Sequence, residues 1–195
     1  GGDASDPTSG IARVFVTVNQ TSGGTPKLAT GTSTWAYPLQ VTEGAYRIQV
    51  AAVDNADIGQ PSTTQPNLLV FADGSAPQLT VTPFPLTVFP SRASNGQWSF
   101  TLSGTAKDPV MTPYFGSGIA SVELQLVAPN GVPIGSGWQQ ATLVRDANGD
   151  ATWSITISFP VGASDPTGNY TLMMRASDNV GNRSADNAYN RPLAI

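Results

Sequence analysis

Carboxylates placed in turns are the residues of this sequence best suited to chemistry. Asp6-Pro7 and Asp108-Pro109 each stand a short way ahead of a Ser-Gly-Ile-Ala run. Asp54-Asn55 and Asp178-Asn179 each close a run of alternating residues, and Asp73-Gly74 follows another. Oxygen ligands of this kind suit calcium, which takes six to eight of them. The competing role is structural, since Asp and Asn stabilise turns by bonding nearby backbone amides. No twelve-residue calcium loop is present, which favours the turn role. There is no cysteine and no histidine. Thiolate chemistry, disulfides and cysteine-based zinc sites are therefore excluded, and so are the commonest general base and metal ligand. Glu43 lies in a turn and Glu123 on the polar face of a strand. No carboxylate pair stands out for glycosidase-type work, and the chain reads as non-enzymatic.

Composition narrows the partners. Charged residues make up 11% of the 195, with a net charge of −4 and a pI near 4.5. The few cations are scattered, so there is no basic stripe for nucleic acid. No apolar run is long enough to span a bilayer. Polar, uncharged strands without cysteine suit exported bacterial proteins. Three glycosylation sequons begin at Asn19, Asn169 and Asn182, but short motifs of this kind arise by chance in a chain rich in Asn, Ser and Thr.

The elements that must position these turns are strands. Apolar residues alternate with polar ones in RVFVTV (Val14, Val16, Val18), WSFTLSGTA (Trp98, Phe100, Leu102, Ala106), SVELQL (Val122, Leu124, Leu126) and TWSITISF (Trp153, Ile155, Ile157, Phe159). Period two is the signature of half-buried strands. Gly and Pro fall mostly between these runs as turn punctuation. Trp98 and Trp153 lie in phase with the apolar faces and are expected in the core. Trp138, in GSGWQQ, is the candidate for a sugar-stacking platform.

The chain also repeats itself. SGIA occurs at 9–12 and at 117–120, and Thr-Trp occurs at 34–35 and at 152–153. EGAYRIQVAAVDN at 43–55 matches TGNYTLMMRASDN at 167–179. Landmarks in the same order, with gaps only in loops, indicate a duplicated module. The expected division is 1–75 and 76–195.

The D…SGIA-x-V opening and the G-x-Y-x-[IL]-x-[VM]-x-A-x-D-N strand, taken together, resemble tandem bacterial Ig-like domains of surface proteins, adhesins and secreted hydrolases. The resemblance implies an all-β fold of two tandem Ig-like Greek-key β-sandwiches. Ile48 and Leu172 stand where antibody-type domains place a cysteine, so packing replaces that disulfide. Tyr46 and Tyr170 are expected to form tyrosine corners, ring buried and hydroxyl bonded to upstream backbone. The fold would place Asp6 with Asp54, Asn55 and Asp57 at one end of the first module. At the junction it would bring Asp73 near Asp108 and Asp178, a candidate calcium set.

Aligned on Asp-Pro, Gly1 falls at or near the end of the second strand, which leaves the first module without its first two strands. Val14, Val16 and Val18 then need a cover beyond Trp35, Ile48 and Val50, supplied by upstream chain or by another subunit. Function follows as an expectation: a non-catalytic extracellular or cell-surface structural or adhesive segment, assembled by strand donation. Its partners would be neighbouring Ig-like modules or subunits of the same protein, or a cell-surface or polysaccharide ligand. The other reading is an accessory binding module of a secreted hydrolase.

Overall fold

The computed structural model describes residues 1–19, 24–58, 67–82, 90–109, 116–161, 163, 166, 168–186 and 191–194. Among them every regular element is a β-strand, and no helix is long and apolar enough to cross a membrane. They form two compact units, Gly1–Gly74 and Ser75–Ile195.

The first unit contains β1 (Gly2–Asp3), β2 (Ile11–Asn19), β3 (Lys27–Leu28), β4 (Thr30–Gly31), β5 (Thr34–Ala36), β6 (Gly44–Asp54) and β7 (Asn67–Ala72). The four-stranded sheet has the order β3-β2-β6-β7, and a small sheet has the order β1-β5-β4. Register explains the buried face. Val14 lies opposite Ala52, Val16 opposite Val50, and Val18 opposite Ile48. The alternating apolar residues of both strands therefore share one side, where Trp35 and Tyr37 join them. Pro38 follows one residue after Tyr37, and lacking an N–H it cannot extend β5 as a paired strand.

The second unit contains β8 (Gln78–Val81), β9 (Ser91–Arg92), β10 (Trp98–Lys107), β11 (Ile119–Val127), β12 (Gln139–Gln140), β13 (Thr142–Arg145), β14 (Ala151–Ser158), β15 (Asn169–Asp178) and β16 (Arg191–Ala194). One sheet has the order β13-β14-β10-β8 with β9 also paired to β10, and the other has the order β12-β11-β15-β16. Phe100, Leu102, Ile155 and Ile157 of the first sheet pack with Val122, Leu124, Leu172 and Met174 of the second in one buried cluster. Each large aliphatic or aromatic side chain so buried contributes about 1.5–3 kcal/mol. Residues 83–89, which include much of the proline-interrupted run after β8, lie outside the described residues.

Trp153 is the largest side chain in this core and is 2% exposed. Gly104 lies opposite it in the β10–β14 ladder. A Cβ on Gly104 would come within 2.6 Å of the Trp153 ring and 2.1 Å of the Thr80 carbonyl oxygen. The glycine is what lets the indole lie against β10. Trp98 differs from its expected place in the core. It is half-buried at the start of β10, packs on the core's margin, and has the Arg92 guanidinium 5.6 Å from its ring centroid.

The duplication read from sequence extends to backbone detail. Both central ladders carry a bulge at the same place, between Ile11 and Arg13 in the first unit and between Ile119 and Ser121 in the second. The Asn55 amide donates to the Gly10 carbonyl, and the Asn179 amide to the Gly118 carbonyl. Ala29 donates to Val14, and Ala141 to Val122. Gly2 lies opposite Trp35 as Gly104 lies opposite Trp153, so the short β1 occupies the place of the last residues of β10. Tyr46 forms the expected corner: it is 7% exposed, and its hydroxyl donates to the Thr42 carbonyl at 3.0 Å and accepts from the Thr42 amide at 3.1 Å. Tyr170 is likewise 7% exposed, edge-on to Phe159, and burial pushes its hydroxyl pKa up. Residues 162, 164, 165 and 167 upstream of it lie outside the described residues.

Two substitutions test this packing. Trp153→Ala is expected to cost the second unit about 3–5 kcal/mol. Gly104→Ala is expected to cost at least about 1–3 kcal/mol by overpacking. Urea denaturation measures both. A Gly104→Ala variant as stable as the parent would show that the indole does not rest on β10.

Candidate functional site

The carboxylates singled out in the sequence fall at strand ends. In the second unit Asp108 follows β10 and Asp178 ends β15. Both are buried, at 4% and 3% exposure, and each offers a carboxylate oxygen within 4.8 Å of the other's. Asp73 belongs to the first unit, where it follows β7 and is half-buried.

The bonds of the buried pair show what the carboxylates do. Asp108 Oδ2 accepts the Gly118 amide at 2.6 Å and the Ser117 hydroxyl at 3.2 Å. Asp178 Oδ1 accepts the amides of Val180, Gly181 and Asn182 at 3.0, 2.7 and 2.8 Å. Its Oδ2 accepts the Asn182 side-chain amide at 2.8 Å. Asn179 Nδ2 then donates to the Ser117 carbonyl at 2.9 Å. Together these bonds tie the turn after β10 to the turn after β15. A calcium ion at this pair would have to share oxygens that already accept turn amides.

The first unit repeats the arrangement in an exposed form. Asp6 accepts the Thr8 amide and hydroxyl at 2.8 and 2.6 Å and the Ser9 hydroxyl at 2.7 Å. These bonds, the Thr8 hydroxyl's first, hold its carboxyl well below the usual range. Asn55 Nδ2 donates to the Ser9 carbonyl at 2.6 Å, as Asn179 does to Ser117. Asp54 Oδ1 accepts the Ile58 amide at 2.7 Å. Asp57, in the left-handed region at φ 61°, pairs with Arg13 at 2.7 Å.

A second polar group lies on the outer face of the β11–β15 ladder. Arg175 Nε donates to Glu123 at 2.8 Å, across from it in register. Its guanidinium carbon lies 4.1 Å from the centroid of the half-buried Trp138 ring. Asp186 stands 3.7 Å from Arg175 Nη1 and also bonds Arg183. The Glu123 bond pushes the Arg175 pKa up, and the Arg183 bond holds the Asp186 carboxyl low. Trp138, the sugar-platform candidate, is thus stacked by a cation on one face.

Sequence reasoning missed Arg145. Its Nε donates to the Ile119 carbonyl at 2.7 Å and its Nη2 to the Ala120 carbonyl at 2.8 Å. It thus satisfies the carbonyls that the bulge turns out of the ladder. Also missed was an apolar cavity of about 350 Å³ in the first unit, lined chiefly by Val16, Val18, Trp35, Ile48, Val50 and Leu68. Alternation marked those residues as core without showing that their cover is partial.

The turn bonds generate two predictions. Asp178→Ala strands several turn amides, and leaving a buried donor unsatisfied costs about 1–3 kcal/mol. A loss of at least that size is expected in denaturant titration, equal with and without millimolar calcium. A calcium-dependent rise in the parent's melting temperature, absent from the variant, would instead assign these carboxylates to the ion. For Asp6 the folded-state pKa is depressed, so its contribution is full above the ordinary value of 3.8 and is lost as pH falls below it. Asp6→Asn should therefore flatten the first unit's pH dependence below that value, as read by melting temperature against pH. Identical acid profiles for parent and variant would refute this. No protein-family model matches the chain, and no curated protein matches it.

Proposed function

We propose that the chain is a non-catalytic structural or adhesive segment of an extracellular or cell-surface protein, built from tandem immunoglobulin-like modules. The observation that carries this reading is the repeated, elaborately pinned ladder. The same sheet order, bulge and turn bonds occur in both units, and the buried carboxylates of the second unit are engaged in holding turns. In the second unit, β13-β14-β10-β8 facing β12-β11-β15-β16 is the order of an immunoglobulin-like Greek key. The Tyr46 corner belongs to the same pattern. The first unit carries the β3-β2-β6-β7 sheet of that fold, and β1 stands for the end of its second strand. Work done by such modules is spacing and assembly, the latter by strand donation between neighbouring modules or subunits.

Trp138 favours a second reading, an accessory module of a secreted hydrolase that holds a polysaccharide. Its ring is half-buried at the surface and stacked on one face by Arg175. Two measurements separate the readings. Antibodies to the second unit should label intact cells that carry the gene, and external protease should remove the label. Labelling only after lysis would overturn the extracellular assignment. On insoluble polysaccharides the chain should not be retained. Retention that Trp138→Ala abolishes, with melting temperature unchanged, would establish the accessory module instead.

A further inference from the structure

We propose that the apolar cavity of the first unit is an acceptor site for one extended, uncharged β-strand donated by a partner polypeptide, with apolar side chains at alternate positions. The inference deepens the assembly part of the proposed function and rests on that reading.

The argument compares equivalent positions of the two units. In the second unit the β11–β15 face is closed: Leu126, Leu172 and Met174 are at most 1% exposed. Their first-unit counterparts by register, Val18, Ile48 and Val50, are only half-buried. In the second unit that part of the core includes Phe100 and Leu102, which precede Gly104 on β10. Gly2, the counterpart of Gly104, pairs with Trp35 through β1. The cavity lies along the line that β10 follows in the second unit, and its lining includes Gly1, Trp35 and Leu68.

The occupant's chemistry follows from the walls. The side chains that line the cavity are uncharged, so a charged insert would lose its hydration without gaining a partner. The β10 segment that fills the equivalent space, Trp98 to Ala106, is also uncharged. A strand in line with β1 would continue the existing β1–β5 pairing, so backbone hydrogen bonds would set its direction and its alternate side chains its specificity. A folded second copy does not supply this strand from β10, because β10 is paired along both edges, to β14 and to β8.

The test is a titration of the full chain with a synthetic peptide of residues 95–103, NGQWSFTLS. Saturable one-to-one binding is expected by calorimetry, with a rise in the first unit's melting temperature. A peptide in which apolar and polar residues exchange places should bind at least about tenfold more weakly, because alternate side chains face opposite sides of a strand. Leu68→Asp should weaken binding comparably while the free chain keeps its melting temperature, since Leu68 is 59% exposed. Absence of binding at millimolar peptide, or equal binding of the exchanged peptide, would overturn the proposal. So would a dimer that closes the cavity and that the peptide does not dissociate. Failure here is separable from failure of the extracellular reading, which cell-surface labelling decides.

Discussion

Register between the two long central strands is the constraint on which the rest of each unit depends. A strand's side chains alternate, so a slip of one residue would carry Val122, Leu124 and Leu126 from the core to solvent. The ladder is pinned where slipping would begin. Gly118, at φ 86°, takes a left-handed conformation that a side chain would resist. Its amide is held by Asp108, its carbonyl receives the Asn179 amide, and Arg145 grips the two carbonyls just beyond. Three separate strand ends thus converge on one bulge. Polar turn residues that look like a binding site on composition serve here to fix a hydrophobic pattern in phase.

Much of this is legible in the sequence because alternation is a local signal. The runs around Val14, Phe100, Val122 and Trp153 each form a strand with those residues inward. Tyr46, two residues after a glycine at the head of its strand, forms its corner as the pattern implies. What stays hidden depends on residues far apart in the chain. Arg145 looks like an ordinary strand cation until the bulge near Ile119 turns carbonyls toward it. Arg175 meets Trp138 only because the loop between β11 and β12 returns the ring to the sheet. The carboxylates were recognisable as turn residues or ligands, but the choice among their partners is made by backbone amides that sequence does not display.

The two units also show how one ladder tolerates different covers. Val14 and Val16 are as well buried as Val122 and Leu124, at 3% exposure or less. Further along the same strands, protection falls off in the first unit alone, where β5 has three residues against eight in β14. Local sequence decides this: Pro38 follows close behind the first tryptophan, whereas Trp153 is followed by alternating Ile and Thr. The apolar surface left half-covered is a graded feature of one end of one sheet, while the bulge end is closed in both units.

The seating of the two equivalent tryptophans has an optical consequence. Trp153 is sealed among aliphatic side chains, and its Nε1–H has no hydrogen-bond partner among the described residues. An indole without polar neighbours has nothing to reorient around its excited state, so it emits toward the blue. Trp35 occupies the same position against Gly2 but is half-exposed beside a cavity, where solvent dipoles can relax and draw the emission toward the red. Single-tryptophan versions of the chain would thus carry a native, position-matched pair of dyes, one dry and one wet, each reporting the loosening of its own unit without any added label.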